Sequence, residues 1–159
     1  MKRFFVLPIT ILLLLATPAV ADYAMGVTAY KNGDFETALN EWRPLADRGF
    51  ADAQWALASM YQYGDGVSRD FNTAFRWYRL AAEQGNAIAQ NSLGEMYLQG
   101  QGVSQDRIRA LMWFNVYASK LPELEAASRE SFEKNMSLAD ISLAQDLARE
   151  CVARSYQGC

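Results

Sequence analysis

The residue types that most often carry enzymatic chemistry are scarce in this chain. None of its 159 residues is histidine, which removes the commonest general base and the commonest zinc ligand. Carboxylates such as Asp52 and Glu95 are spaced like those of solvated helix faces, so no acid and base pair stands out. We therefore expect no enzymatic activity, no cofactor and no metal site.

One pattern points the other way. Ser131 and Lys134 match Ser-x-x-Lys, in which penicillin-recognising enzymes carry their nucleophile. The companion motifs Ser-Asp-Asn and Lys-Thr-Gly are missing, and a serine and a lysine three residues apart are also ordinary neighbours on a helix. A cell-wall or β-lactam-associated enzyme is therefore only the alternative function.

The N-terminal segment has the three-part layout of a secretory signal peptide. Lys2 and Arg3 precede an apolar run over residues 4–16, and small residues follow up to Ala21. The run is shorter than the roughly 20 residues that span a bilayer. We expect cleavage after Ala21 and a periplasmic or secreted chain without a membrane span.

Cys151 and Cys159 are the only cysteines. An even count in a chain with a predicted export signal favours a disulfide between them. A metal site lacks histidine and a second cysteine pair, and the spacing is not the Cys-x-x-Cys of redox enzymes.

The charge balance argues against a nucleic-acid partner. The net charge is −3, and it would become −5 without residues 1–21, whereas nucleic-acid phosphates need a basic stripe. Arg69, Arg76 and Arg79 lie among acidic residues, so we expect them on a solvated helix face.

An internal repeat organises the rest of the chain. A shift of 36 residues places 51–82 over 87–118, and 14 of the 32 paired positions are identical, where unrelated segments share about two. In each copy apolar residues recur at i, i+4, i+7 and i+8, the spacing of one helical face. Each copy is predicted to be two helices joined by a turn.

Glycine and aspartate mark the boundaries within each copy. The Gly-x-Gly turn at 64–66 recurs at 100–102, and glycine tolerates the positive φ of a chain reversal. Asp70 and Asp106 then stand near the start of the second helix, where a carboxylate accepts hydrogen bonds from free backbone N–H groups.

The pattern continues in weaker form at both ends. Upstream, residues 22–50 have a shorter turn, and downstream Pro122 is predicted to end the third long helix. Periodic segments follow at 123–136 and 138–155, the second with a capping signal of Ser137 and Asp140. The expected apolar face of the last helix consists of Ala144, Leu147, Ala148, Cys151 and Val152. These C-terminal helices are expected to close the stack.

The two copies resemble the Sel1-like repeat. The resemblance rests on Ala-Asp-Ala-Gln at 51–54, Gly-Asp-Gly-Val at 64–67 and Ala-Ala-Glu-Gln-Gly-Asn at 81–86, with a similar second copy. Residues 22–50 are closer to the related tetratricopeptide repeat. The resemblance implies an all-α fold, an α/α superhelical solenoid of about six helices. Secreted Sel1-like proteins rich in cysteine also use cysteines eight residues apart.

The corresponding division is a signal peptide over 1–21, a leading tetratricopeptide-like repeat over 22–50, Sel1-like repeats over 51–86 and 87–121, and a divergent cap over 122–159. The resemblance further implies a monomeric adaptor or scaffold that binds a protein or peptide partner in its concave groove. A purely structural spacer is a further alternative.

In repeats of this kind the first helix of each pair lines the concave face. Positions outside its packing stripe are free to contact a partner, and aromatic residues among them are the expected hot spots. The predicted partner-binding residues are Tyr23, Tyr30, Lys31, Asp52, Trp55, Ser59, Gln62, Tyr63, Asn91, Glu95, Leu98 and Gln99. Trp77 and Trp113, by contrast, are expected to be structural.

Overall fold

The computed structural model describes residues 18–120 and 132–159, with side chains from residue 20 onwards. The described part of the chain contains seven α-helices, each packed against the next. They are α1 (Pro18–Lys31), α2 (Phe35–Asp47), α3 (Ala51–Tyr63), α4 (Phe71–Glu83), α5 (Ala87–Gln99), α6 (Arg107–Ala118) and α7 (Leu138–Ala153). The all-α prediction is confirmed, and the described residues alone hold one helix more than the expected six.

The predicted boundary residues begin and end the helices of both repeats. The Asp70 carboxylate accepts from two backbone N–H groups in the first turn of α4, and Asp106 accepts from one in the first turn of α6. Gly64 and Gly100 end α3 and α5 with φ values of 82° and 69°. These positions require the left-handed conformation that glycine adopts at little cost.

The second glycine of each turn has an additional role, because it allows close packing between repeats. A Cβ atom at Gly66 would lie 2.5 Å from the Cβ of Phe35. One at Gly102 would lie less than 3.0 Å from both atoms of the Phe71 carbonyl group. Each turn therefore rests on the first residue of the second helix in the preceding pair.

The apolar faces form two clusters along the array. One joins α1, α2 and α3, and the other runs from α3 to α7. Trp55 and Trp77 are half-buried and pack against both clusters, and Trp113 is only 1% exposed. The structural role predicted for Trp77 and Trp113 is confirmed.

Two buried glutamines at equivalent positions connect neighbouring pairs of helices. Gln54 donates its side-chain N–H to the carbonyl oxygen of Ala46, and Gln90 donates to that of Ala82, both at 3.1 Å. The Oε1 of Gln54 also accepts from Gln84 at 2.7 Å. These bonds attach each first helix to the C-terminal end of the helix before it.

The last helix is held by a cap and a disulfide. Ser137 accepts from the backbone N–H of Asp140, which confirms the predicted capping signal. Cys151 and Cys159 are bonded, as predicted, with their Cα atoms 5.5 Å apart. Val152, expected on the packing face of this helix, is instead exposed. Pro122 and most of the periodic segment 123–136 lie outside the described residues.

Candidate binding surface

A cavity of about 180 Å³ opens between the first helices α1 and α3. Its lining is almost entirely apolar. It is lined by Tyr23, Val27, Tyr30 and Lys31 from α1, Trp42 from α2, and Trp55, Ala56 and Ser59 from α3. Five of the twelve predicted residues therefore share one cavity.

The rings of this cavity are fixed by their neighbours. Trp42 donates its indole N–H to the backbone oxygen of Tyr23 at 3.2 Å, and Tyr30 donates its hydroxyl to Asp65 at 2.5 Å. The Trp42 ring centroid lies 6.0 Å from that of Tyr23 and 5.6 Å from that of Tyr30. The aromatic walls are thus held in place by contacts within the chain.

Gly26 allows α1 to approach Trp42 closely. A Cβ atom at this position would lie less than 3.0 Å from three atoms of the Trp42 indole. The indole can therefore pass beneath α1 and form the floor of the cavity. Trp42, Val27 and Ala56 were not among the predicted residues. Trp42 stands 36 residues before Tyr78, which marks it as a residue of the packing pattern but does not show which surface it reaches.

A polar strip continues from the cavity along α3 towards α5. Gln62 accepts from the Tyr78 hydroxyl at 2.7 Å, and Tyr63 is 67% exposed. On α5, Asn91 donates to Glu95 at 3.1 Å. We call the cavity and this strip together, on the exposed side of α1, α3 and α5, the inner surface.

Burial raises the pKa of two tyrosines that bond to residues of this region, Tyr30 in the cavity and Tyr78 in the core beneath Gln62. The pKa of Tyr30 rises to about 12, first because the ring is desolvated and then because its hydroxyl bonds to the Asp65 carboxylate. Burial likewise raises the pKa of Tyr78. Both phenols therefore stay protonated at neutral pH, where they act as hydrogen-bond donors.

The remaining predicted residues lie outside the cavity. Asp52 is exposed and accepts from the Asn86 side chain at 2.8 Å, and its charge adds to burial in raising the pKa of Tyr23. Leu98 is half-buried against the core, and Gln99 is exposed at the end of α5. None of the twelve predicted residues is fully buried.

The described residues contain little that suggests catalysis. No group of three or more acidic or cysteine residues within 18–120 and 132–159 is placed to hold a metal ion. Of the Ser-x-x-Lys pattern, Ser131 lies outside the described residues, and Lys134 is exposed. Among the helices that the structure describes, none is both long and apolar enough to cross a membrane.

Comparison with solved structures shows the same architecture elsewhere. A protective antigen present in uropathogenic Escherichia coli strains, which displays an SLR fold, superposes with a TM-score of 0.80 at 28% identity, over 87% of this chain and 31% of its own. A Sel1 repeat protein from Oxalobacter formigenes superposes with a TM-score of 0.61 at 30% identity, over 73% of this chain and 88% of its own.

Two curated relatives are similar over a shorter stretch. The exopolysaccharide production negative regulator of Rhizobium meliloti (strain 1021) is 44% identical over 48 residues, and that of Rhizobium leguminosarum bv. viciae is 45% identical over 47. The match covers 30% of this chain but only 18% of either relative.

The family model of the Sel1 repeat matches the sequence at residues 51–86 and 87–115. These ranges contain the two helix pairs α3 with α4 and α5 with most of α6. Together with the Oxalobacter structure, which aligns over most of both chains, they show that this chain belongs to the Sel1 repeat family, whose arrays are modules of the protein-interaction type.

Proposed function

We propose that the chain is an adaptor that binds a peptide segment of a partner protein along its inner surface. The cavity between α1 and α3 carries this proposal, since it would take one large apolar side chain of that segment. A cavity of about 150 Å³ with an apolar lining holds benzene, so the 180 Å³ available here fits an aromatic or branched aliphatic group. Tyrosine and tryptophan side chains are enriched at interface hot spots and in the lining of binding pockets.

The charges of the inner surface favour a basic partner. Helices α1, α3 and α5 together carry Asp22, Asp52 and Glu95 against Lys31, and cleavage after Ala21 would add the α-amino group of Asp22 as a second cation, which leaves an acidic excess. Lys31 is exposed where it lines the cavity, so its stem can cover apolar surface while its ammonium group stays in water. A segment with an apolar anchor and neighbouring lysine or arginine residues matches this pattern.

We further propose that the chain works outside the cytoplasm, after removal of residues 1–21. The layout of the N-terminal segment supports export. The Cys151–Cys159 disulfide supports an oxidising compartment. The similarity over 48 residues to a named negative regulator of exopolysaccharide production directs the search for a partner to the proteins of that process.

The test is a peptide-display selection against the full chain, followed by affinity measurements on the selected peptides. Ser59 lines the cavity and is half-buried, so the Ser59→Phe variant places a ring inside it. We expect selected peptides to share a large apolar residue next to a basic one. Their affinity for Ser59→Phe should fall by about tenfold or more, because the anchor loses its site.

The matched control is Ser142→Phe, which makes the same change on an exposed position of α7. Circular dichroism should show both variants to be as helical as the native chain. The proposal is wrong if no peptide is enriched, or if Ser59→Phe binds the selected peptides as tightly as Ser142→Phe does.

A further inference from the structure

A second cavity, separate from the inner surface, lies between the second helices α4 and α6. Its volume is about 290 Å³. Arg79 and Glu83 of α4, Tyr97 of α5 and Arg109 of α6 are among the residues that line it. The C-terminal tail, through Gly158 and Cys159, also lines it. We call this cavity the outer groove.

The two arginines of the outer groove have unused hydrogen-bonding capacity. Arg79 approaches Glu83 only to 3.8 Å, and Arg109 approaches Asp106 only to 3.7 Å. Within the described part of the chain, neither guanidinium group donates a hydrogen bond. The Arg109 guanidinium lies 5.8 Å from the centroid of the Tyr97 ring. Both groups therefore border the cavity with free N–H donors.

The residues 36 positions earlier in the chain form a different set of contacts from those of the outer groove. Arg43 and Tyr61 occupy the positions equivalent to Arg79 and Tyr97 at the 36-residue offset. There, the arginine donates to the tyrosine hydroxyl at 3.0 Å. The position equivalent to Arg109 is occupied by a threonine. The outer groove thus has one more cation than its counterpart and lacks the bond between arginine and tyrosine.

We propose that the outer groove binds a small organic acid, with its carboxylate at Arg79 and Arg109 and its body against the half-buried Phe75, which lines the same cavity. The planar guanidinium fork matches a carboxylate. Arg79 has Glu83 nearby and Arg109 has Asp106 nearby, so a dianion would meet more repulsion here than a monoanion. The volume is about twice that of a cavity that holds benzene, so the ligand would have about 12 non-hydrogen atoms.

The experiment is a titration of the full, oxidised, ¹⁵N-labelled chain with 3-phenylpropionate, followed through the amide resonances of α4 and α6. For a probe of this size we expect saturable binding with a Kd on the order of a few millimolar. The neutral isostere 3-phenylpropanamide and the dianion phenyl phosphate are titrated in parallel. Each should bind more weakly than the carboxylate, the amide by about tenfold.

Variants identify the groups responsible. Arg79→Gln combined with Arg109→Gln should weaken 3-phenylpropionate by about tenfold or more. Arg43→Gln, at the equivalent position in the preceding pair, should bind it like the native chain. Four outcomes would overturn the proposal: no saturable binding, equal binding of the amide, tighter binding of phenyl phosphate, or undiminished binding by the double variant.

Discussion

Replacement of Gly102 by alanine should destabilise the protein far more than the same change at Gly33. The two glycines have similar φ angles, +68° and +77°, so both variants force alanine into the left-handed region. Nothing lies within 4 Å of a Cβ atom at Gly33, whereas one at Gly102 would lie less than 3.0 Å from the Phe71 carbonyl group. The pair of variants therefore separates the cost of the backbone conformation from the cost of the contact between repeats.

The expected magnitudes follow from these surroundings. A residue other than glycine in the left-handed region costs about 1–2 kcal/mol, and this is the whole loss at Gly33. At Gly102 the alanine also displaces the carbonyl group of Phe71, the first residue of α4. Overpacking of this kind costs about 1–3 kcal/mol more. We expect the free energy of unfolding to fall by about 1 kcal/mol at Gly33 and about 3 kcal/mol at Gly102.

The assay is urea denaturation of both variants and the native chain, followed by far-ultraviolet circular dichroism. The denaturant slopes must agree among the three proteins, because a changed slope would mean that they do not unfold between the same states. Equal losses of unfolding free energy in the two variants would refute the reasoning, since glycine would then be required at position 102 only because of its positive φ. Gly102 lies in the turn before α6 and contacts the first residue of α4, so Gly102→Ala should also weaken 3-phenylpropionate binding in the outer groove.

Three further changes test other parts of the structure. Cys159→Ser should lower the free energy of unfolding by about 2.5 kcal/mol, because the disulfide closes a loop of eight residues; urea midpoints that match between the oxidised native chain and the variant would contradict this. Gln54→Leu should cost about 0.5–1.5 kcal/mol, since it removes the side-chain donor to the Ala46 carbonyl, which still accepts from the Gly49 backbone N–H; a midpoint at or above the native value would show that the bond adds nothing. The folded chain holds the Tyr30 proton up to a pKa of about 12, against 10.0 for the free side chain, so stability should decline as the pH rises above 10. Tyr30→Phe should show a shallower decline between about pH 10 and 12 in the same denaturation assay, and an unchanged slope would argue against this origin.

The features that were predictable from sequence are local ones. Asp70 caps α4 and Gly64 ends α3 through groups only a few residues away, so their types and spacing are sufficient evidence. The 36-residue offset placed both helix pairs correctly, because each pair repeats the same local pattern. The disulfide was predictable because only two cysteines are present.

The shape of the two binding surfaces was not predictable in the same way. Trp42 belongs to a second helix, yet it forms the floor of the cavity between two first helices, because Gly26 lets α1 lie against its indole. That approach joins residues far apart in sequence, and no spacing rule reports it. Arg79 is exposed, as expected for a solvated face, but that expectation did not show that it would border a cavity together with Arg109 of the next pair.

The distribution of arginine explains how one repeat can produce two surfaces with opposite preferences. Among the described helices, α1, α3 and α5 contain no arginine, whereas α4 and α6 each contain two. The rings of the inner surface therefore have acidic neighbours and remain available to a basic segment. In the outer groove the Tyr97 face is already opposed by Arg109, so the free guanidinium donors favour an anion instead. The choice of ligand depends less on the aromatic residues, which occur at both sites, than on which helix of each pair carries the cations.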